Sequence, residues 1–404
     1  MKITDEIRKE FPFFEHNPDV CYLDNSATSL VPSCVVERMN QYDLLEKASP
    51  YRGMYLGSVQ ATEDYEYARY HVTKHIHATS SREIIFTRNA TESINLVAYS
   101  IEPMICPGDE IVIGYAEHHS NMIPWQQLAK RTGAIIRYAQ LYGEDALKNL
   151  EEVIKPRTRI VAVTQMSNVL GSLNPLKEIS LLAHSNHALV VADGCQSVPH
   201  VPVDVKELDV DFLAFSGHKM LCPMGIGVLY GRVELLMQMR PFLYGGEMIK
   251  DVSLDGATWA QLPQKFEAGT VNVGGAIALG KAIEFYALNG QYAIVKREED
   301  LTKRMMDGML SMKHVNIIGS QKPEDHYGIV SFTVDDVHPH DVAAVMSASG
   351  IAIRAGHHCA KPLHDNLGIT ASSRASVMFY NTEAEIDKFL DVLSGIRGAM
   401  GYAD

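Results

Sequence analysis

Ala188-Leu-Val-Val-Ala-Asp193 is a run of consecutive apolar residues that ends in a carboxylate, and Arg159-Ile-Val-Ala-Val-Thr164 has the same character. Consecutive apolar residues are typical of strands covered by helices on both faces. Runs of this kind, most of them separated by a turn and a longer helical stretch, give seven predicted strands: Glu83–Thr87, Glu110–Gly114, Ala134–Tyr138, Arg159–Thr164, Ala188–Asp193, Phe212–Phe215 and Gly227–Tyr230. This order predicts an α/β domain with a mostly parallel, seven-stranded sheet.

A second pattern begins at about residue 290, where a long charged helix is followed by short strands and a closing amphipathic helix. It predicts a smaller α+β domain at the C-terminal end. We expect residues 21–285 to form the large domain, and residues 1–20 together with 286–404 to form the small one. The stretch Gly245–Trp259 is predicted to be a loop or a hairpin insertion.

Composition excludes several classes of partner. The 404 residues are 46% hydrophobic and 21% charged, as in an ordinary globular protein. The formal net charge of -13 and the lack of a basic block argue against nucleic acid and anionic membranes as partners. The segment Met1–Phe14 lacks the continuous apolar core of a signal peptide, and no apolar run approaches membrane-spanning length. The six cysteines have no framework spacing, so a cytoplasmic protein without disulfides is expected.

Polar residues follow the predicted strands at their carboxyl ends, where ligands bind in sheets of this type. Lys219 lies in Ser216-Gly-His-Lys219, after one strand and before a glycine-rich turn. A partly desolvated lysine at such a turn suits a lysine-anchored aldehyde cofactor, although a lone lysine after a strand is more often a solvated surface charge. Asp193 is placed to pair with a protonated ring nitrogen, or else to cap a helix.

Two further segments complete the requirements of such a cofactor. Arg88–Ser93 joins a strand to a helix that is expected to begin near Thr91, so that free backbone N–H groups and the Thr91 hydroxyl could hold a phosphate. The same segment could be an ordinary helix start. In Glu117–Asn121, the ring of His118 could lie on the cofactor, but a histidine pair alone is usually structural.

The segment Arg354-Ala-Gly-His-His-Cys-Ala360 places the Cys359 thiol beside two imidazoles and near arginines, as a nucleophile requires. Metal binding is the competing interpretation. We do not expect a metal, because adjacent side chains diverge and the spacing of known zinc sites is absent. Arg374 offers a planar fork for a substrate carboxylate, with a surface salt bridge as the alternative.

Together these segments resemble the group II, or SUF-type, cysteine desulfurases of the class V aminotransferase-like, fold type I pyridoxal-phosphate (PLP) enzymes. The resemblance runs nearly end to end and depends on eight motifs in order: Tyr22-Leu-Asp-Asn-Ser-Ala-Thr28, Ala61-Thr-Glu63, Glu117-His-His119, Ser167-Asn-Val-Leu-Gly171, Ser216-Gly-His-Lys219, Phe266-Glu-Ala-Gly-Thr270, Arg354–Ala360 and Arg374-Ala-Ser376 with Tyr380-Asn-Thr382. The fold it implies is a large PLP-binding domain with a smaller C-terminal domain that carries the nucleophile.

The resemblance also implies a role for each matching residue. Lys219 would hold PLP covalently and act as a catalytic base, Cys359 would carry the sulfur as a persulfide, and His118 would stack on the ring. The other cofactor-binding residues implied are Ala90, Thr91, Asn168, Asp193, Gln196, Ser216, His218 and, from the neighbouring subunit of a homodimer, Thr270. The substrate carboxylate would meet Arg374, Arg354 and Asn168.

The activity implied is conversion of L-cysteine to L-alanine, with the sulfur passed to an acceptor protein of an iron–sulfur assembly system. The alternatives are a selenocysteine lyase or a cysteine sulfinate desulfinase on the same fold, and a non-catalytic sulfur-carrier scaffold. Three positions depart from the family pattern: Cys195 stands where alanine is common, Tyr55 stands where histidine is usual, and Cys222-Pro-Met224 replaces a Gly-Pro-Thr-like turn. They place substrate preference and rate in doubt, and leave the reaction class as it is.

Overall fold

The computed structural model describes residues 3–402. Its strands, in chain order, are β1 (Cys21–Tyr22), β2 (Ile84–Thr87), β3 (Glu110–Gly114), β4 (Ile135–Ala139), β5 (Thr158–Thr164), β6 (Leu189–Asp193), β7 (Phe212–Ser216), β8 (Gly227–Gly231), β9 (Ile249–Val252), β10 (Ala257–Trp259), β11 (Val315–Ile317), β12 (Ile329–Val334), β13 (Ile351–Ala352), β14 (Arg354–Gly356) and β15 (Ser372–Ser376).

The α-helices, in chain order, are α1 (Pro12–His16), α2 (Ser33–Gln41), α3 (Leu56–His75), α4 (Ala90–Ser100), α5 (Ile123–Thr132), α6 (Ala146–Val153), α7 (Leu176–Ser185), α8 (Ser197–His200), α9 (Val205–Leu208), α10 (Val233–Gln238), α11 (Val273–Asn289), α12 (Gln291–Leu310), α13 (Pro339–Ala348), α14 (Lys361–Leu367), α15 (Glu383–Ser394) and α16 (Ile396–Ala399). Among residues 3–402, no helix combines the length and the apolar composition needed to cross a membrane.

Seven strands form the large sheet, in the order β2-β8-β7-β6-β5-β3-β4. Neighbouring strands in the series β4-β3-β5-β6-β7 are parallel, whereas β8 runs antiparallel to both of its neighbours, β2 and β7. The carboxyl ends of β2, β3, β5, β6 and β7 therefore meet at one edge of the sheet. The expected seven-stranded, mostly parallel sheet is confirmed.

Both faces of this sheet are buried, because neighbouring residues of each central strand enter different parts of the core. Val161 and Val163 pack on the face covered by α3 and α11, whereas Ile160 and Ala162 pack on the face covered by α4 and α5. Continuous apolar runs are what such two-sided burial requires. The sequence predicted each of the seven strands to within one residue at either end.

The C-terminal part holds a four-stranded antiparallel sheet in the order β11-β12-β15-β14, packed against α12 and α15. The predicted long helix is α12, the predicted closing helix is α15, and Gly245–Trp259 contains the β9–β10 hairpin. The domain boundaries stay a prediction.

Residues near the N-terminus contact this C-terminal region, although the two are far apart in the sequence. Cys21 and Tyr22 pair in parallel with Ile351 and Ala352, and the backbone N–H of Ser26 donates to Ser376 Oγ at 2.9 Å. The chain after β1 thus lies between the two sheets, next to the end of β15.

Candidate active site

A pocket lies at the carboxyl edge of the large sheet and is closed on one side by β14 and β15. Of the thirteen site residues predicted from the sequence, eleven line it: Ala90, Thr91, His118, Asn168, Asp193, Gln196, Ser216, His218, Lys219, Arg354 and Arg374. Cys359 lies at its rim, where its Sγ is 3.9 Å from an Arg354 guanidinium nitrogen. Thr270 lies outside this pocket and is exposed.

Lys219 ends a short 3₁₀ turn that follows β7, and it is half-buried. The turn requires glycine at 217, because a Cβ there would come within 2.8 Å of the Ile226 side chain. The His218 carbonyl accepts from the Ser29 N–H and the Thr28 hydroxyl, each at 2.9 Å. The turn therefore fixes the backbone of Lys219 and leaves its amine to the pocket.

Asp193 ends β6 and is 3% exposed. Its Oδ1 accepts from the Cys195 N–H at 2.9 Å, while nothing among residues 3–402 hydrogen-bonds its Oδ2. It is not the N-cap of α8, which is Gln196. One carboxylate oxygen thus orders the loop and the other is available to a cationic ligand atom.

The beginning of α4 forms the opposite end of the pocket. The helix begins at Ala90 with Asn89 as its N-cap, one residue earlier than predicted. The Ala90 N–H, expected to be free, donates to Ser216 Oγ at 2.9 Å. Thr91 is exposed at this end of the pocket, and the Nδ1 of His218 lies 3.3 Å from Thr28 Oγ1. An anion here would meet a helix N-terminus and hydroxyl groups.

His118 also lines the pocket, near Lys219 and Asp193. Burial and the nearby Lys219 amine lower the pKa of His118 to about 4, so the ring is neutral near pH 7. Its Nδ1 accepts from the Ser120 N–H at 3.2 Å and lies 2.8 Å from the Ser120 hydroxyl. A neutral ring in a fixed orientation suits stacking on a heteroaromatic ligand.

Arg374 is 1% exposed, and burial lowers its pKa to about 10. Its guanidinium donates to Asp24 at 3.2 Å and to the Asn168 carbonyl at 3.0 Å, while its buried Nε has no partner. Arg354 stands directly opposite on the neighbouring strand. Like charges in that relation destabilise a sheet, and Asp24 is a single carboxylate beside two guanidinium groups. The pair therefore keeps a positive charge that favours a ligand carboxylate.

Cys359 is half-buried and lies in a turn between β14 and α14. The turn also holds His358, whose carbonyl accepts from Asn168 Nδ2 at 2.8 Å and whose Nε2 lies 3.1 Å from the Ser372 carbonyl. Burial lowers the pKa of His358 to about 2. Within residues 3–402, no group of three or more His, Cys, Asp or Glu side chains is arranged to hold a metal ion.

The three departures from the family pattern lie in different places. Cys195 lines the pocket, and burial raises the pKa of its thiol far above the ordinary range. Cys222 is buried in the core, and Tyr55 is 60% exposed at the N-cap of α3.

Sequence reasoning gave no role to Ser26 and Glu117. Ser26 lines the pocket, and its carbonyl accepts from Gln196 Nε2 at 2.9 Å. Glu117 is fully buried beneath it, accepting from the Thr164 N–H at 2.9 Å and from Asn121 Nδ2 at 2.6 Å. Both belong to motifs on which the family resemblance depends, and that resemblance is the sequence signal that could have identified them.

The pocket has the polar atoms that PLP and an amino-acid substrate need. Gln196 Oε1, His358 Nδ1 and Arg374 Nε are buried without a partner, although all three residues line it. Buried polar groups are rarely left unpaired, so these positions indicate a polar ligand. The free oxygen of Asp193 and the amine of Lys219 fit the ring nitrogen and the aldehyde of PLP.

Fold and pocket together define a PLP enzyme of fold type I, and comparison with known proteins gives the family. The family described as Aminotransferase class-V matches residues 21–389. A probable cysteine desulfurase of Halalkalibacterium halodurans is 46% identical over 403 residues, covering 98% of both chains. The chain therefore belongs to the class-V aminotransferase family and, within it, to the cysteine desulfurases.

Solved structures agree over the whole length. The apo cysteine desulfurase of Thermococcus onnurineus matches with a TM-score of 0.94 at 41% identity, covering 98% of this chain and 99% of the other. The Escherichia coli cysteine desulfurase CsdA matches with a TM-score of 0.90 at 38% identity, covering 98% of both chains. The fold class and the resemblance expected from the sequence are confirmed.

Proposed function

We propose that this protein is a PLP-dependent cysteine desulfurase that converts L-cysteine to L-alanine and receives the sulfur on Cys359. The observation that carries the proposal is the convergence of Lys219, Asp193 and Arg374 in one pocket with a thiol at its rim. The scaffold alternative is disfavoured, because a chain without catalysis has no need for two arginines with one carboxylate, Asp24, beside the pocket lysine.

Substrate binding is assigned to the arginine pair. The substrate carboxylate pairs with Arg374, whose Nε has no partner, and Arg354 adds a second positive charge from the adjacent strand. A planar guanidinium fork binds a carboxylate in one orientation. With the carboxylate held there, we expect the amine of cysteine to face Lys219 and its sulfur to face the rim.

When bound, PLP supplies an aldehyde that captures the substrate amine and a ring that withdraws electrons from Cα. Asp193 holds the ring nitrogen in its protonated form with its free oxygen, and Gln196 and Asn168 meet the ring hydroxyl. Thr91, Ser216 and His218 would bind the phosphate, with Ala90 next to it holding Ser216 Oγ. His118 would stack on the ring.

Proton transfer is assigned to Lys219, which removes the Cα proton of cysteine and later returns a proton to carbon. The Cys359 thiolate attacks the substrate sulfur. A sulfur–sulfur bond forms as the carbon–sulfur bond breaks, its electron pair stays with carbon, and protonation of carbon gives alanine. Cys359 is left as a persulfide.

The test measures alanine and sulfide released from L-cysteine by the purified holoenzyme, with and without a thiol reductant. We expect alanine formation to stop near one equivalent per site without reductant, because Cys359 stays occupied, and to continue with it. The persulfide should be found on Cys359 by mass spectrometry. No alanine under either condition would overturn the proposal.

The wider context is also part of the proposal. Renewed turnover needs an acceptor thiol, which we assign to a protein of an iron–sulfur assembly system. Thr270 is exposed and does not line the pocket of its own chain, which supports a homodimer in which it serves the partner site. A cytoplasmic location is supported by six free thiols, one of which must stay reduced to act.

A further inference from the structure

The histidine after His118 contacts the Cys359 turn at two points. The backbone N–H of His119 donates to the Cys359 carbonyl at 2.7 Å. Its ring Nε2 accepts from the backbone N–H of Lys361 at 3.2 Å. His119 does not line the pocket, whereas His118 and Ser120 on either side of it do. One residue outside the pocket therefore holds the chain on both sides of Ala360.

The turn that it holds is intrinsically unfavourable. The Ala360 N–H donates to the His357 carbonyl at 2.8 Å, which closes a four-residue turn. His358 and Cys359, at its centre, have φ values of 50° and 56°. Positive φ at both central positions is the mark of a type I′ turn, for which Asn and Gly are preferred. With His and Cys there instead, the turn depends on its surroundings.

Those surroundings come from the large sheet. The His358 carbonyl is held by Asn168, from the loop after β5, and the Cys359 carbonyl by His119, from the loop after β3. These bonds fix the position of the Cys359 thiol relative to the edge of the sheet that carries Lys219 and Asp193. The bond from His119 to the Cys359 carbonyl is a backbone bond that a substitution retains. The bond from the Lys361 N–H to the His119 ring is the one that substitution can remove without touching the pocket lining.

We propose that His119 is a positioning residue for Cys359. By accepting from Lys361 N–H, its ring holds the first turn of α14 and the end of the Cys359 turn, and so keeps Sγ at the pocket rim. The inference rests on the proposed function, since it concerns the nucleophile of that reaction. It goes beyond it by giving a role to a side chain that contacts neither cofactor nor substrate.

The test compares two replacements of similar volume in the holoenzyme. His119→Met fills the space without a strong acceptor, and His119→Gln offers a carbonyl oxygen at about the reach of Nε2. We expect His119→Met to lower kcat with L-cysteine about fivefold or more, as for one lost hydrogen bond, with KM within about twofold. His119→Gln should restore most of kcat. Equal kcat for His119→Met and wild type would overturn the inference.

Selenocysteine separates positioning of Cys359 from damage to the cofactor site. The carbon–selenium bond is weaker than the carbon–sulfur bond, so release of selenium depends less on attack by the thiol. His119→Met should keep selenocysteine turnover within about twofold of wild type. Iodoacetamide should alkylate Cys359 faster in His119→Met than in wild type, as the turn loosens. Equal loss on both substrates, or an unchanged alkylation rate, would contradict positioning.

His357→Ala is the matched control, since it removes an exposed imidazole of the same turn whose ring makes no hydrogen bond among residues 3–402. The alkylation rate of Cys359 should stay within about twofold of wild type in this variant. A rise equal to that of His119→Met would contradict the specific role of the His119 ring. If wild type itself formed no alanine, the proposed function would fail, while alkylation would still decide the positioning.

Discussion

The two halves of the site are held in place by different means. Lys219 and Asp193 follow strands of a sheet whose two faces are buried. The Asp193 loop is held by a bond to a residue two positions away, and the Lys219 turn by Thr28 and Ser29 of the N-terminal segment. Cys359 occupies a turn with positive φ at two consecutive non-glycine residues, fixed by side chains from distant loops. The first half is placed by the ends of buried strands. The second half depends on individual hydrogen bonds that hold an unfavourable turn.

The largest effect is expected in the first half, at Lys219. Lys219→Ala should lower alanine formation from L-cysteine by about 10³-fold or more, because the base for the Cα proton is lost. Borohydride reduction of wild type should fix PLP to Lys219. Lys130→Ala, which removes an exposed lysine of α5, is the control and should keep wild-type activity. A reduced label on another lysine would show that the strand-end assignment is wrong.

The second half should be separable from the first by choice of substrate. Cys359→Ala should lose about 10²-fold or more of its turnover of L-cysteine, while keeping much of its turnover of L-selenocysteine and its cofactor absorbance. The reason is that the carbon–selenium bond is weaker than the carbon–sulfur bond, so selenium can be released without attack by the Cys359 thiolate. Equal loss on both substrates would mean that Cys359 shapes the pocket, and the two halves would then form one unit.

Acid should weaken the second half through His358. Because its pKa in the folded protein is lowered to about 2, the neutral ring contributes stability that is fully present above about pH 6.5 and is lost as the pH falls toward 2. Between pH 7 and 5 this is about 2 kcal/mol of unfolding free energy. His358→Asn should reduce that loss in urea unfolding at the two pH values. Parallel losses in variant and wild type would exclude His358 as the source.

The smallest effect is expected at Cys195, a second thiol in the pocket. Its pKa is raised by burial, so it stays a neutral thiol and does not compete with Cys359. Cys195→Ala should change kcat with L-cysteine by less than about threefold, and mass spectrometry should still place the persulfide on Cys359. A persulfide found on Cys195 in the wild type would contradict this prediction, because the nucleophile would then be a residue of the large sheet.

The same contrast explains what the sequence could predict. The strands were located to within one residue because short runs of consecutive apolar residues such as Ile160–Val163 are typical of buried strands. In a parallel sheet, the polar residues that follow such strands lie at one edge. The Cys359 turn gave no such signal. His-Cys is not a turn dipeptide, and its conformation depends on Asn168 and His119, which lie far away in the chain. The domain boundaries and the roles of the site residues stay predictions.

The contact between Ser26 and Ser376 has a consequence for the order of assembly. Ser26 forms part of the pocket wall, yet its N–H and the side chain of Asn25 bond to Ser376 at sequence separations of 350 and 351 residues. During synthesis the large sheet can form well before β15 has left the ribosome. The wall built on Ser26 closes only after that point. A ribosome-bound nascent chain can thus hold its sheet while the wall of its pocket is still open.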